Sequence, residues 1–304
     1  MEMRKSFHSN GKLLLTGEYV VLNGAKALAI PTKYGQSLAV ESSEKNGIHW
    51  ESFDENNTIW FKDSFEITDE QIASQNPSDL VRNQLLKILQ EAKKLNPEFL
   101  EDSKGFNIKT ELDFPRNWGL GTSSTLINNI AQWAKVDAFA LLAKSFGGSG
   151  YDIAAAQSDS PILYELKGEK SKFSRVALKW NFTESLFFVY LNQKQDSKEG
   201  IAHYRQNKVD KESTAEISVI SENIISCDTL SSFELLMNAH EEIISKLIKL
   251  PTIKSQLFSD YPNTIKSLGA WGGDFVLATG GNHDMDYFRK RGFGTVIPFG
   301  EMIK

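Results

Sequence analysis

The sequence predicts an α+β fold in two closely joined domains, and three observations lead there. Strand-like and helix-like segments alternate without strict βα order. The chain has 304 residues, about two domains at roughly 150 residues each. No repeat of fixed period and no low-complexity linker interrupts it, so the domains are expected to be 1–180 and 181–304. At 40% apolar and 24% charged residues the composition is that of a globular chain and excludes a disordered one.

The first 60 residues read mainly as β. Residues 12–16 and 18–22 are β-favouring runs, and 36–40 alternate. Asn10-Gly11, Asn23-Gly24 and Asn46-Gly47 mark turns, because both residue types tolerate positive φ. A helix follows, with Ser78-Asp79 as its cap and Val81, Leu85, Leu89, Ala92 and Leu95 at helical spacing. Residues 106–112 alternate as a strand, Pro115 leads into a glycine-rich turn, and 123–135 read as helix. Further strands are expected at 162–166, 187–191, 275–279 and 295–299. The 200–250 region is helical, with Ile217, Ile220, Ile224 and then Phe233, Leu236, Ala239, Ile243 and Leu247 in phase.

Acidic side chains outnumber basic ones 39 to 34, a net charge of −5, so no nucleic-acid partner is expected. The one cysteine, Cys227, excludes an internal disulfide and a cysteine-based zinc site. Histidines 8, 49, 203, 240 and 283 form no HExxH-type cluster, so no zinc is assigned. No run approaches the ~18 apolar residues of a spanning helix. Leu13-Leu14-Leu15 is shorter than a signal-peptide core of about 7–15 residues. The expectation is a cytoplasmic protein without a membrane partner.

Four passages carry chemistry. They are Gly11-Lys12-Leu13-Leu14-Leu15-Thr16-Gly17-Glu18-Tyr19, then Pro115-Arg116-Asn117-Trp118-Gly119-Leu120-Gly121-Thr122-Ser123-Ser124. The third is Gly147-Gly148-Ser149-Gly150-Tyr151-Asp152 and the fourth Gly269-Ala270-Trp271-Gly272-Gly273-Asp274. In the second, glycines let the backbone approach a ligand closely. The hydroxyl residues fall where a helix begins, a ready anion site through its free amides. Taken singly, each passage has a plainer reading. Thr122 or Ser123 caps a helix, Lys12 is an exposed strand-edge lysine, Asp152 is an N-cap, and the fourth loop packs against a strand. Neither the Walker pattern nor the Rossmann fingerprint is present.

In this order and combination the passages resemble the GHMP kinase superfamily, and within it the mevalonate and phosphomevalonate kinases. Gly150-Tyr151-Asp152-Ile153-Ala154 resembles a bacterial subgroup typified by that string. The resemblance implies an N-terminal α+β domain with a left-handed βαβ crossover, a ferredoxin-like C-terminal domain, and ATP with Mg2+ in the cleft. It implies that Gly119, Leu120, Gly121, Thr122, Ser123 and Ser124 cradle the phosphates, bordered by Gly272 and Gly273. Ser123 would hold magnesium, Asp152 would be the catalytic aspartate, and Lys12 the lysine near the acceptor oxygen. Glu18, Tyr19, Ser149, Lys266 and Asp274 would contact the acceptor, a small molecule. Lys12, Lys266 and Arg116 are candidate cations should that acceptor be a phosphate monoester.

Two positions depart from the mevalonate kinase pattern. Leu141 stands where a magnesium-binding glutamate is usual, and the first passage reads Glu18-Tyr19 rather than Glu-His; both lean toward the phosphomevalonate branch. Trp118 and Trp271 replace small residues in two of the loops, either walling an apolar crevice or packing internally. The function implied is phosphorylation of mevalonate or 5-phosphomevalonate. A nucleotide- or metabolite-binding sensor and a sugar or homoserine kinase are the alternatives, and a homodimer is left open.

Overall fold

The computed structural model describes residues 4–68, 72–74, 79–168, 170–195, 197–207, 209–269 and 271–304. The expected cap residue Ser78 and loop residue Ala270 lie outside them. In chain order, β1 (Arg4–Leu14) leads through a 3₁₀ turn (Val20–Asn23) to β2 (Ala27–Ser43), β3 (Gly47–Phe53), β4 (Ile59–Ile67) and β5 (Ile72–Ala73). Next come α1 (Leu80–Leu95), β6 (Gly105–Leu112), α2 (Thr122–Ala134), α3 (Ala138–Ser145), α4 (Tyr151–Ala156), β7 (Ile162–Lys167) and β8 (Lys170–Arg175). The chain continues with β9 (Leu186–Tyr190), α5 (Ser197–Arg205), α6 (Lys211–Ser226), α7 (Leu230–Ile248) and α8 (Ile253–Leu257). It ends with β10 (Ile265–Ser267), β11 (Phe275–Thr279), α9 (Asn282–Lys290), β12 (Val296–Pro298) and α10 (Phe299–Met302).

Two compact units result, and they interleave along the chain. Unit one is Met1–Gly11, Tyr34–Arg116 and Gly121–Gln157; unit two is Lys12–Lys33, Asn117–Leu120 and Ser158–Lys304. A single boundary near residue 180 does not describe this division, because β1 and β2 are long enough to contribute to both units.

In unit one, β5, β4, β3, β6 and the later half of β2 lie side by side. The β3–β6 pair is parallel and the other pairs are antiparallel. Period-two alternation sends Leu38 and Val40, Ile48 and Trp50, and Phe106 and Ile108 to one face. There they pack on Leu85, Ile88 and Leu89 of α1, Ile127 and Ile130 of α2, and Leu141 of α3. Asp79 caps α1 by accepting the amide hydrogens of Val81 and Arg82, as expected from the sequence.

Unit two contains a four-stranded antiparallel sheet in the order β10-β11-β9-β12. With helices after β9 and after β11, this is the split βαβ arrangement of a ferredoxin-like domain. Phe187, Val189, Val276 and Ala278 bury one face against Phe258, Tyr261 and Phe288. The β7–β8 hairpin also belongs here, and β7 pairs with Ala27–Ala29 of β2. The last residues join the same unit: Thr32 bridges to Ile303, the Lys304 amide donates to Pro31 O (3.2 Å), and Lys33 Nζ donates to Gly300 O (2.5 Å). No helix among the described residues is long and apolar enough to cross a membrane.

Three local expectations are corrected. Asn10-Gly11 is no turn, because both residues continue β1. Residues 18–22 do not continue a strand. Gly17 and Tyr19 take positive φ (89° and 62°), which turns the chain back on itself and leaves room only for the 3₁₀ turn. In α7 the buried stripe is Phe233, Met237, His240, Glu241, Ile244, Leu247 and Ile248, whereas Ala239 is exposed. The face is rotated because two polar residues occupy it, for a reason given below.

Candidate active site

The glycine turn ends at Gly121, whose φ of 94° starts α2. Expectation assigned the cap to Thr122 or Ser123, but no side chain caps this helix. Instead Ser124 Oγ turns back to donate to Gly121 O (2.8 Å), with Thr125 Oγ1 3.1 Å from the same oxygen. Ser123 stands exposed in the first turn, with Thr122 half-buried and Ser124 buried. The first-turn amides of a 13-residue helix therefore carry no side-chain cap, as an anion-binding terminus requires.

Asp152 lies in the first turn of α4, half-buried like Ser149. The N-cap is Gly150 (φ 86°), so Asp152 does not serve as the N-cap. Its Oδ1 accepts the amide hydrogen of Ile153 (3.1 Å). Gln157, which ends α4, donates through Nε2 to Asn128 Oδ1 of α2 (2.8 Å), tying the two helices together. Leu141 is fully buried among apolar side chains, so a glutamate there would place a charge in the core. Among the described residues no group of three His, Cys, Asp or Glu side chains forms a metal site. Arg116 holds its guanidinium 3.6 Å from the Trp60 ring centre.

In unit two, Lys12 is buried; its Nζ donates to Gly119 O (3.1 Å) and its amide to Leu120 O (3.0 Å). Asp274 approaches the same turn. A Cβ built on Gly119 would lie 2.3 Å from Asp274 Oδ2, so only glycine fits, and its φ of 69° demands the same. Burial pushes the Asp274 carboxyl up, against the charge of Lys12. Its backbone is pinned by Asp274 N to Gln193 O (2.9 Å) and Leu191 N to Asp274 O (2.8 Å). Gly272 and Gly273 precede it in the same turn, Gly272 with φ 101°. Gly119→Ala is expected to lose about 1–3 kcal/mol of stability through clash and backbone strain, measured by urea denaturation.

Tyr19 stacks on Tyr204 (5.4 Å between ring centres) and accepts the Trp271 amide hydrogen at its Oη (2.9 Å). Trp271 is buried and donates from Nε1 to Pro251 O (3.0 Å); Trp118 meets Phe275 edge-on. Trp271 thus packs internally, whereas Trp118 is half-buried against Phe275 within unit two.

Glu18 and Lys266 are brought together, but in the interior, 1% and 0% exposed. Lys266 Nζ donates to Glu18 Oε1 (2.5 Å) and lies 3.2 Å from Glu241 Oε1. Burial opposes its charge, yet the two carboxylates hold the ammonium above its usual value. His240 Nε2 accepts the Gly17 amide hydrogen (2.9 Å). Burial, with the charge of Lys266, keeps this imidazole neutral, well below its usual range. Sequence reasoning missed His240 and Glu241; the available signal was a His-Glu pair in phase with the apolar stripe of α7.

Two carboxyls share one ammonium, and burial pushes Glu18 from its ordinary 4.5 up to about 7, with Lys266 pulling the other way. The folded state therefore binds this proton more tightly than the unfolded chain does. The associated stabilisation is full below pH 4.5 and is lost as pH rises to about 7. Wild type should lose stability relative to Glu18→Gln across that window, with a slope of at most about 1.4 kcal/mol per pH unit. Urea midpoints at pH 5, 6, 7 and 8 measure it.

No protein-family profile matches this sequence. No curated protein matches it either. Solved structures do. Mevalonate kinase of Methanococcus jannaschii superposes with a TM-score of 0.68 at 16% identity, covering 97% of each chain. Phosphomevalonate kinase of Streptococcus pneumoniae, in complex with phosphomevalonate and AMPPNP, gives 0.67 at 16% identity over 94% of this chain and 95% of that one. The chain has the GHMP kinase fold. Galactokinase of Lactococcus lactis, complexed with galactose, shares that fold at a TM-score of 0.64 and 14% identity, over 94% of this chain and 88% of that one.

Proposed function

We propose that this protein is an ATP-dependent phosphotransferase acting on a small acceptor, first the hydroxyl of mevalonate and second the phosphate of 5-phosphomevalonate. The observation that carries the reading is the uncapped start of α2 behind Gly121, in a chain whose fold neighbours are small-molecule kinases. ATP phosphates fit there, because the first-turn amides and the helix dipole attract anions. Magnesium fits as an ion held by the Ser123 hydroxyl and the nucleotide's own oxygens, where it would neutralise charge on the transferring phosphoryl group.

In this reading the acceptor oxygen attacks the γ-phosphorus and the bond to the β–γ bridging oxygen breaks. ADP leaves, and the hydroxyl proton passes to the Asp152 carboxylate. Lys12 stabilises the negative charge that develops on the acceptor oxygen. An alcohol is placed ahead of a phosphate monoester for a stated reason. The monoester arrives ionised, with a second pKa of about 6, and calls for additional cations. Of the three candidates, Lys266 is enclosed by Glu18 and Glu241 and Arg116 lies against Trp60.

The test is ADP release from ATP and Mg2+ with mevalonate, 5-phosphomevalonate, galactose and homoserine supplied singly. Turnover on mevalonate supports the reading, and preference for 5-phosphomevalonate reverses the order of acceptors. ADP release at background with all four overturns it.

A further inference from the structure

From the end of α4 to the start of α2 in unit one, hydrogen bonds link one exposed and several buried polar residues, passing once through a backbone carbonyl. Gln157 Nε2 donates to Asn128 Oδ1 (2.8 Å), Asn128 Nδ2 to Ser9 Oγ (2.8 Å), and Ser9 Oγ to Asn129 Oδ1 (2.7 Å). Asn129 Nδ2 then donates to Gln36 O (2.9 Å), while the Gln36 side chain accepts from Thr125 Oγ1 (2.8 Å). Thr125 Oγ1 also lies 3.1 Å from Gly121 O. The line starts at the residue that ends the Asp152 helix and finishes on the glycine that opens α2. Its interior members are all nearly inaccessible: Ser9, Gln36, Thr125, Asn128 and Asn129 are at most 2% exposed.

Helix α4 has six residues, too few to hold a shape unaided, since isolated helices below about 12 residues are marginal. It follows Gly147, Gly148 and Gly150, all at positive φ. Its buried side chains, Ile153 and three alanines, supply contact without direction. A hydrogen bond supplies direction, and the Asn128 end of this one is held in place by its buried partner Ser9. We propose that Gln157 and Asn128 are positioning residues that set the orientation of α4, and with it Asp152, relative to the Gly121 turn. The proposal rests on the reading of Asp152 as the base.

Gln157 is the residue to change, because it is exposed and its replacement leaves the core intact. Gln157→Leu removes the donor; Gln157→Lys supplies another that reaches the same Asn128 oxygen. The Leu variant should lose about 10-fold or more in kcat, as expected when a reacting group is displaced by a fraction of an ångström. KM for ATP and for acceptor should stay within about 2-fold. Amide hydrogen exchange over residues 150–157 should quicken, and the Lys variant should recover most of the lost kcat. A Leu variant with wild-type kcat overturns the proposal, as does a Lys variant no better than Leu. Asp152→Asn assayed alongside separates the two failures: full turnover by that variant overturns the base reading itself.

Discussion

Asp152→Asn is expected to lower kcat on an alcohol acceptor by about 10²–10⁴-fold, the usual contribution of a positioned base, or roughly 3–5 kcal/mol of barrier. The amide has the shape of the carboxylate but cannot take up the acceptor proton. Folding should change little, since the amide keeps the oxygen that accepts the Ile153 amide hydrogen and a charge in the first turn of α4 is worth about 0.3–1 kcal/mol. KM for ATP should move little, because the exposed start of α2 is untouched. On 5-phosphomevalonate the same substitution should cost far less, as that acceptor arrives already ionised. Steady-state kinetics on both acceptors checks this. Wild-type turnover of the variant on mevalonate would remove Asp152 from the chemistry.

The second large effect is on stability. Lys266→Met leaves Glu18 and Glu241 facing each other in the interior without their common cation. Removing one partner of a buried ion group costs about 3–5 kcal/mol, because the charge left behind has lost both water and its counter-ion. The loss should be greater at pH 8 than at pH 5.5, since Glu18 titrates at about 7 and is already protonated at the lower value. Chemical denaturation at the two pH values measures both parts. The combination Glu18→Gln, Glu241→Gln and Lys266→Met should regain much of the stability. A single Lys266→Met change with no effect at either pH would mean that no ion pair holds this cluster.

Much of the frame was legible because it rests on local rules. Asp79 caps α1, the alternation at Phe106 and Ile108 marks β6, and the apolar run at Phe187 and Phe188 marks β9. Two features were not legible, for identifiable reasons. Glu18, Tyr19 and Val20 look β-favouring, but Tyr19 is held at positive φ by its stacking on Tyr204 and its bond from Trp271, both far away in sequence. The α7 stripe was misplaced because His240 and Glu241 count as polar in any hydropathy pattern. Their burial makes sense only once Lys266, a residue on another element, is seen beside them. For the candidate site, residue types and order pointed to Lys12, Ser123 and Asp152. The polar line from Gln157 to Thr125 could not be read, since Ser, Asn and Gln at helical spacing carry no signature of mutual contact.

The clasp of Pro31, Thr32 and Lys33 by Gly300, Ile303 and Lys304 bears on how the protein is made. A ribosome delivers the chain from one end, and these partners are separated by nearly its whole length. The bonds from Gly300, Ile303 and Lys304 to this part of β2 can therefore form only after the residues between them have been made. Contacts so distant in sequence are slow to close.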